Sequence, residues 1–584
     1  MISQLLHSRL AVADFAPALA LILALLAAWK RPSAFGGSFA TLEQFGSRIA
    51  QHKPAAVLTL ALLPLLLRFC LWSMIPVPVP GIHDEFSYLL ASDTFAHGRL
   101  TNPPHPMRIF FETMHVNQLP TYMSKYPPAQ GVVLAIGQIF GHPWIGVLIS
   151  VSVMCVAVLW MLWGWLPQRW AFLGALLVAL RLGSFSYWIN SYWGGAVAAI
   201  GGALVMGAIP RLMRSYRARD ALFLSLGLSI LANSRPLEGF ILCASVALSL
   251  AVAFRSKASV NLRRFASRIF SLPVVLILLS TTLFMGYYNW RGTHNVFLFP
   301  YTVNDQTYSN SPHFIWQRAS ASRHSGNPQL EGLYAWERRY WEDNRLDGIG
   351  HLVRHVSLVL IKFTYFFLWP QFLFPFALVV FLLAHDLKVR FFFLHFLLCF
   401  AGMVAVVWSQ PHYAAPLTAT TSFLVTQSIR HIRLFRYRGR PVGLGLSRTI
   451  VFFAVAMTVV YIVEAARNPS LSSFVAPAGV WANPGNQSRA KILKQLEALP
   501  GKHLVIVRYS TGNTETGEWV YNHADIDSAK VVWAREIPGV EIEPLLKYFS
   551  SYHIWLLDHP NLTPFNDTFS HRVSSARSDF AEKK

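Results

Sequence analysis

Apolar residues in this chain arrive as a long series of separate runs, most of them close to the ~20 residues a helix needs to cross a bilayer, divided by short connections rich in Lys and Arg. The better runs lie at about 55–75, 143–165, 171–189, 195–210, 220–234, 237–254, 270–289, 366–384, 391–408, 413–429 and 447–466. No water-soluble core absorbs so many runs in 584 residues, whereas a bilayer does. The expected fold class is mainly α, a polytopic membrane protein of about 11 to 13 transmembrane helices with a small soluble α/β domain at its C-terminus. Charged residues make 13% of the chain, about half the ~25% of soluble domains.

Fifty Lys and Arg against 28 Asp and Glu leave a net charge of +22. In a soluble protein that excess points to nucleic acid; here its placement points to the bilayer, and no nucleic-acid partner is expected. The densest groups, RLMRSYRAR (211–219) and IRHIRLFRYRGR (429–440), sit between apolar runs, where the positive-inside rule puts them. With Lys30, Arg48 and Lys53 in the cytoplasm, the parity of the spans also turns Arg169, residues 211–219, Arg255 to Arg268, Lys388 with Arg390, and residues 430–440 inward. Three polar segments then face outward: 76–130, 290–365 and the tail. The expected location is the plasma (inner) membrane of the cell, multi-pass, with the chemistry and the tail on the extracytoplasmic side.

Three regions follow: 1–53, a hydrophobic helix and cytoplasmic linker; 54–466, the membrane domain; and 467–584, the outer α/β domain. Leu10 to Ala28 reads as a signal-anchor or an interfacial helix, weakened by Asp14 and Pro17. His351 to Ala384 is too long for one span and reads as an interfacial helix followed by a span, or as a re-entrant hairpin. In the tail, QSRAKILKQLEALPG and EIEPLLKYFS have helical patterns, and HLVIVRY, KVVWAR and HIWLLD read as buried strands. It has no GxGxxG and no P-loop. The four cysteines, Cys70, Cys155, Cys243 and Cys399, all lie in apolar runs and make neither a disulfide framework nor a CxxC metal pattern.

The most informative stretch is 81–131, GIHDEFSYLLASDTFAHGRLTNPPHPMRIFFETMHVNQLPTYMSKYPPAQG, directly after a span. Asp84 and Glu85 open an amphipathic helix whose Phe86, Leu89, Leu90 and Phe95 are placed to lie along the membrane surface. Acids in a first helical turn commonly serve the cap and the helix dipole. A carboxylate a few residues beyond a span can also meet both an aqueous acceptor and a lipid-linked head group, and act there as a general base. Both readings stand at this point.

An Asp-Glu pair after the first full span in HDEFSYLL (83–90), a Lys-x-Pro-Pro segment in SKYPPAQGVVLAIGQIFG (124–141) and, more loosely, QPHYAAP (410–416) resemble the layout of the C-type (GT-C) integral-membrane glycosyltransferases, above all protein O-mannosyltransferases and the aminoarabinose transferase. The resemblance covers residues 55 to 430. It implies a sugar donor carried on polyprenyl phosphate, an extracytoplasmic acceptor hydroxyl of unknown identity, Asp84 as catalytic acid/base with Glu85 assisting, and Lys125 on the donor phosphate. Arg235, in ANSRPLEG, is a second phosphate candidate, or else pairs with Glu238 to close a hairpin. Tyr88, Tyr126, His412 and Tyr413 make up the expected substrate-binding set. A divalent cation is left open, because no histidine has strong ligand spacing. Arg181 is an intramembrane charge that either has a function or snorkels. Residues 336–348, WERRYWEDNRLDG, read as an acceptor-lining segment or a solvated helix. The alternative function is a polytopic transporter or lipid flippase of the cell envelope.

Overall fold

A computed structural model describes residues 9–215, 217–256, 267–269, 271–309, 311–318, 327–368, 370–467, 485–509, 518–558 and 561–565. Most of the Arg255 to Arg268 cluster and residues 468–484, just past the boundary at 467, fall outside them. The chain is mainly helical. Among the described residues, seven helices are long and apolar enough to cross a bilayer: Lys53–Cys70, Pro143–Trp165, Ala196–Ser215, Leu272–Thr293, Gly348–Leu368, Leu387–Ala405 and Val442–Val460. Shorter apolar helices occupy Ala16–Lys30, Pro128–Ile139, Pro236–Ala251 and Leu373–Leu382. Runs expected near 171–189, 220–234 and 413–429 form the helices Gln168–Leu182, Ala218–Ser234 and Thr418–Leu434. The last is buried from Thr418 to Ile429, so it packs against protein where the outer helices meet lipid.

One boundary differs from expectation. The continuous helix of the 351–384 region is its first half, Gly348 to Leu368, and the second half breaks into Leu373–Ala377 and Val379–Leu382. Pro370 and Pro375 sit in that second half and disfavour a continuous helix.

Close helix contacts rest on glycine. A Cβ on Gly146 would stand 2.0 Å from Val133 O, and one on Gly202 would stand 2.2 Å from Pro416 O. The basic connections gather at one end of the bundle. Glu43 holds Arg433 and Arg448 in two bidentate pairs of 2.8 to 3.0 Å, Arg440 reaches Lys30 O at 2.5 Å, and Lys388 reaches Trp165 O at 3.0 Å.

At the other end, a short ribbon of β1 (Val116–Asn117) and β2 (Met123–Ser124) folds the first polar segment back on the helix His83–Ala96. The tail contributes a four-stranded sheet in which β3 (His503–Arg508) pairs in parallel with both β4 (Val531–Arg535) and β5 (His553–Asp558), and β6 (Asn561–Pro564) adds antiparallel to β5. β3 lies between neighbours and is covered on both faces, which explains its unbroken apolar reading. One face packs on Ile492 and Leu496 of the helix Gln487–Ala498. The other shares a core with the first polar segment: Leu504, Ile506, Val532 and Leu556 pack with Phe86, Leu90, Phe110 and Tyr122. Of the apolar stripe of the helix His83–Ala96, Phe86 and Leu90 are buried under the tail, Leu89 packs beside Tyr88, Leu134 and Trp144, and Phe95 meets Tyr288, so the stripe packs against protein instead of lying along a membrane surface.

Candidate active site

Where the first polar segment, the helix ends and the 299–314 segment meet, a cavity of about 530 Å³ opens, within the 300–1,000 Å³ common for small-ligand sites. Asp84, Tyr88, Lys125, Tyr126, Arg235, His412 and Tyr413 all line it. The helix Ala218–Ser234 runs from the basic end of the bundle to Arg235 on the cavity wall, and Leu272–Thr293 reaches the same wall with Tyr288 and Asn289. The cavity thus occupies the end of the bundle opposite the basic connections.

The acid pair divides. Glu85, 1% exposed, is not on the cavity wall: its carboxylate accepts from the amides of Gly81 (2.9 Å), Ile82 (3.2 Å) and Tyr192 (3.1 Å). A carboxylate spent on three backbone donors caps the helix and ties it to the 183–195 turn, which accounts for Glu85 structurally and leaves its expected assisting role without a place on the cavity wall. Burial pushes its carboxyl up to about 7 against the pull of those amides. Asp84, half-buried, faces the cavity; Tyr126 donates its hydroxyl to Oδ1, and His115 Nε2 stands 4.0 Å from Oδ2.

Lys125 is only 6% exposed. Its ammonium lies 4.5 Å from the Tyr301 ring centre and 5.6 Å from that of Tyr126, and it makes no ion pair among the described residues. Two ring faces stabilise a desolvated cation without neutralising it, so the charge stays available to an anion in the cavity. Pro127 ends the extended Lys-x-Pro-Pro segment and Pro128 starts the helix Pro128–Ile139, where a proline at the first position is pre-set for helix. Arg235 stacks over Tyr413 at 4.6 Å, and its guanidinium is 3.9 Å from Glu238, so the expected hairpin ion pair exists only as a loose contact. Tyr88 stacks on Tyr126 at 4.5 Å between ring centres. His412 bonds Tyr187 at 2.9 Å and packs 4.5 Å from Trp193.

Several wall residues escaped the sequence reading: Tyr301, the Asp305–His313 pair at 2.5 Å, and Trp408. Tyr301 and Asp305 lie on the short helix Pro300–Thr307 and His313 and Trp408 outside regular helices, all more than 200 residues from Asp84, and spacing carries no signal of their convergence. Of the 336–348 segment, Trp336 and Glu337 do reach the cavity. Burial raises the Glu337 carboxyl to about 7, with Lys125 opposing. Arg181 is spent on the carbonyls of Tyr365 and Phe366, away from the cavity, which accounts for it structurally. Among the described residues, no three His, Cys, Asp or Glu side chains are grouped to hold a metal ion.

No protein-family model matches the chain, and no curated protein matches it in a sequence search. Solved structures do show similarity. ArnT from Cupriavidus metallidurans bound to undecaprenyl phosphate is 10% identical and aligns over 86% of this chain and 93% of its own, with a TM-score of 0.49. The Archaeoglobus fulgidus oligosaccharyltransferase AglB, in complex with an inhibitory peptide and a dolichol-phosphate, is 13% identical over 86% of this chain and 69% of its own, at a TM-score of 0.45. The oligosaccharyltransferase of that organism tethered with an acceptor peptide is 14% identical over 78% of this chain, which spans 61% of that protein's length, at a TM-score of 0.45. These neighbours are GT-C superfamily membrane glycosyltransferases.

Proposed function

We infer that the chain is a membrane glycosyltransferase which takes a sugar from a polyprenyl-phosphate donor and passes it to an acceptor hydroxyl outside the cytoplasm. The observation that carries this reading is the cavity wall itself: the Asp84 carboxylate and two cations, Lys125 and Arg235, face a common space where bundle ends meet polar segments, with Glu238, Asp305 and Glu337 also on the wall. The Asp-Glu and Lys-x-Pro-Pro motifs resembling GT-C enzymes supply two of these groups, Asp84 and Lys125.

In this reading the donor enters with its phosphate toward Lys125 and Arg235. Asp84 takes the proton of the acceptor hydroxyl, whose oxygen attacks the anomeric carbon, and the bond from that carbon to the phosphate oxygen breaks. The growing negative charge on the phosphate is met by cations already in place, which act without reorganising. Tyr126 fixes Asp84 through Oδ1 and leaves Oδ2 for the proton. Tyr88, Tyr126, His412, Tyr413 and Trp193 provide ring faces for the sugar.

Mass spectrometry of the lipid that co-purifies with the full-length protein identifies the donor. Transfer of label from that donor is then measured in wild type and Asp84→Asn at equal expression. The expected result is loss of transfer by a factor of about 10³ or more in the variant; undiminished transfer rejects the role of Asp84 as base.

A further inference from the structure

The Asp84–His115 separation of 4.0 Å is too long for a direct hydrogen bond. It is the span over which a single oxygen atom sits at hydrogen-bond distance from both groups, at about 2.8 Å from each. His115 is fixed in that position by its backbone. Its φ of 65° lies in the left-handed region, uncommon for a residue other than glycine, and its carbonyl accepts from Ser87 Oγ at 2.6 Å and from Lys125 N at 3.1 Å. Backbone strain of this kind gathers at functional sites.

The ring has one usable nitrogen. Nδ1 is buried with no hydrogen-bond partner among the described residues, and a proton there would be a buried donor with nothing to bond. A proton on Nε2 instead points at the Asp84 carboxylate. Burial first, then Lys125 and His83, keep the imidazole neutral, so the ring carries that one N–H. Around it stand Asp84, His83 and Ser87 from the helix His83–Ala96, and Ser124, Lys125 and Tyr126 from β2 and beyond it.

We propose that the acceptor hydroxyl is seated between Asp84 Oδ2 and His115 Nε2, donating its proton to the carboxylate and accepting a hydrogen bond from the imidazole N–H. The proposal rests on the transferase reading above and names the seat of its nucleophile. One lone pair of the hydroxyl oxygen is occupied by His115 and the other is left to attack the anomeric carbon. The O–H proton moves to Oδ2, and the electron pair of the breaking bond leaves on the phosphate. His115 neither gains nor loses a proton, because Nδ1 has no acceptor through which to pass one on. It orients the nucleophile.

Full-length protein in lipid nanodiscs tests this with three variants. Asn tolerates left-handed backbone well, and its short amide does not reach the seat, so His115→Asn removes the donor without adding strain. His115→Gln puts an amide N–H back near the Nε2 position. Asp84→Asn tests the reading beneath. The readout is transfer from the lipid donor recovered with the protein, where His115→Asn is expected to lose about tenfold or more in kcat with the donor KM unchanged, and His115→Gln to regain most of it. Wild-type kcat in His115→Asn overturns this inference alone. Full transfer by Asp84→Asn overturns the transferase reading and the seat together.

Discussion

Successive residues on a helix point about 100° apart, and at the start of the helix His83–Ala96 that angle separates two adjacent carboxylates, one turned to the cavity and the other to the backbone amides. Asp84 turns Oδ2 toward the cavity while Glu85 closes the helix start. Glu85→Ala is therefore expected to act on folding before it acts on catalysis, leaving three buried amides without acceptors and lowering the thermal midpoint measured on detergent-purified protein. Lys125→Met keeps the bulk of the side chain and removes its charge; transfer is expected to fall roughly 10²-fold in kcat, the scale of losing one preorganised transition-state contact. Glu337 adds a pH effect whose sign follows from its raised carboxyl. Below about pH 7 Glu337 is neutral and leaves the field of Lys125 unopposed, and above it the carboxylate ionises and competes with a donor phosphate. Donor affinity is expected to weaken several-fold between pH 6 and 8, and the slope to flatten in Glu337→Gln, as read by a donor-binding titration at each pH.

Elements place these groups through a few tight crossings. The turn that carries His412 and Tyr413 lies against Gly202, where a Cβ would meet the Pro416 backbone. Gly202→Ala is expected to cost about 1 to 3 kcal/mol through overpacking and to lower activity by shifting that turn, while Gly332→Ala, at a glycine with open space around its Cβ position, leaves both unchanged; thermal melts and transfer rates of the pair check this. Asp93 is a second crossing: it accepts from Ala524 N at 2.7 Å and from Gln138 at 2.8 Å. Burial pushes its carboxyl up, but bonds from His523, Ala524 and Gln138 outweigh it and hold it below the usual range. The sequence reading reached these elements unevenly, for physical reasons. Long apolar runs and the strands of the tail declare themselves by period and length, so β3, β4 and β5 fall where HLVIVRY, KVVWAR and HIWLLD place them. Asp84 and Lys125 were legible through short motifs. Tyr301 and Asp305 were not, because what brings them to the cavity is tertiary packing around the helix Pro300–Thr307, with no local signature. The fate of Glu85 was equally hidden, since a capping carboxylate and a catalytic one look alike until their neighbours are known.

At the scale of the whole molecule, the described part of the tail is a structural part of the site without lining it. Every described residue lining the cavity lies between positions 82 and 413, yet Phe86 and Leu90, on the helix that carries Asp84, are buried against Leu504, Ile506 and Val532. Tyr521 stacks on Phe86 at 4.2 Å and bonds His83 Nδ1 at 3.1 Å, next in sequence to Asp84. A chain ending at residue 484 keeps all the wall residues and is expected to lose transfer, with residues 81–127 becoming open to added protease; intact wild-type transfer by that truncated chain would show the tail to be dispensable. The shared core also sets an order of events during synthesis. The first polar segment leaves the ribosome early, but the strands that complete its packing follow some 400 residues later. Until they are made, Asp84 stands on an unsupported helix, so a nascent or prematurely terminated chain has a cavity wall that has not yet been assembled.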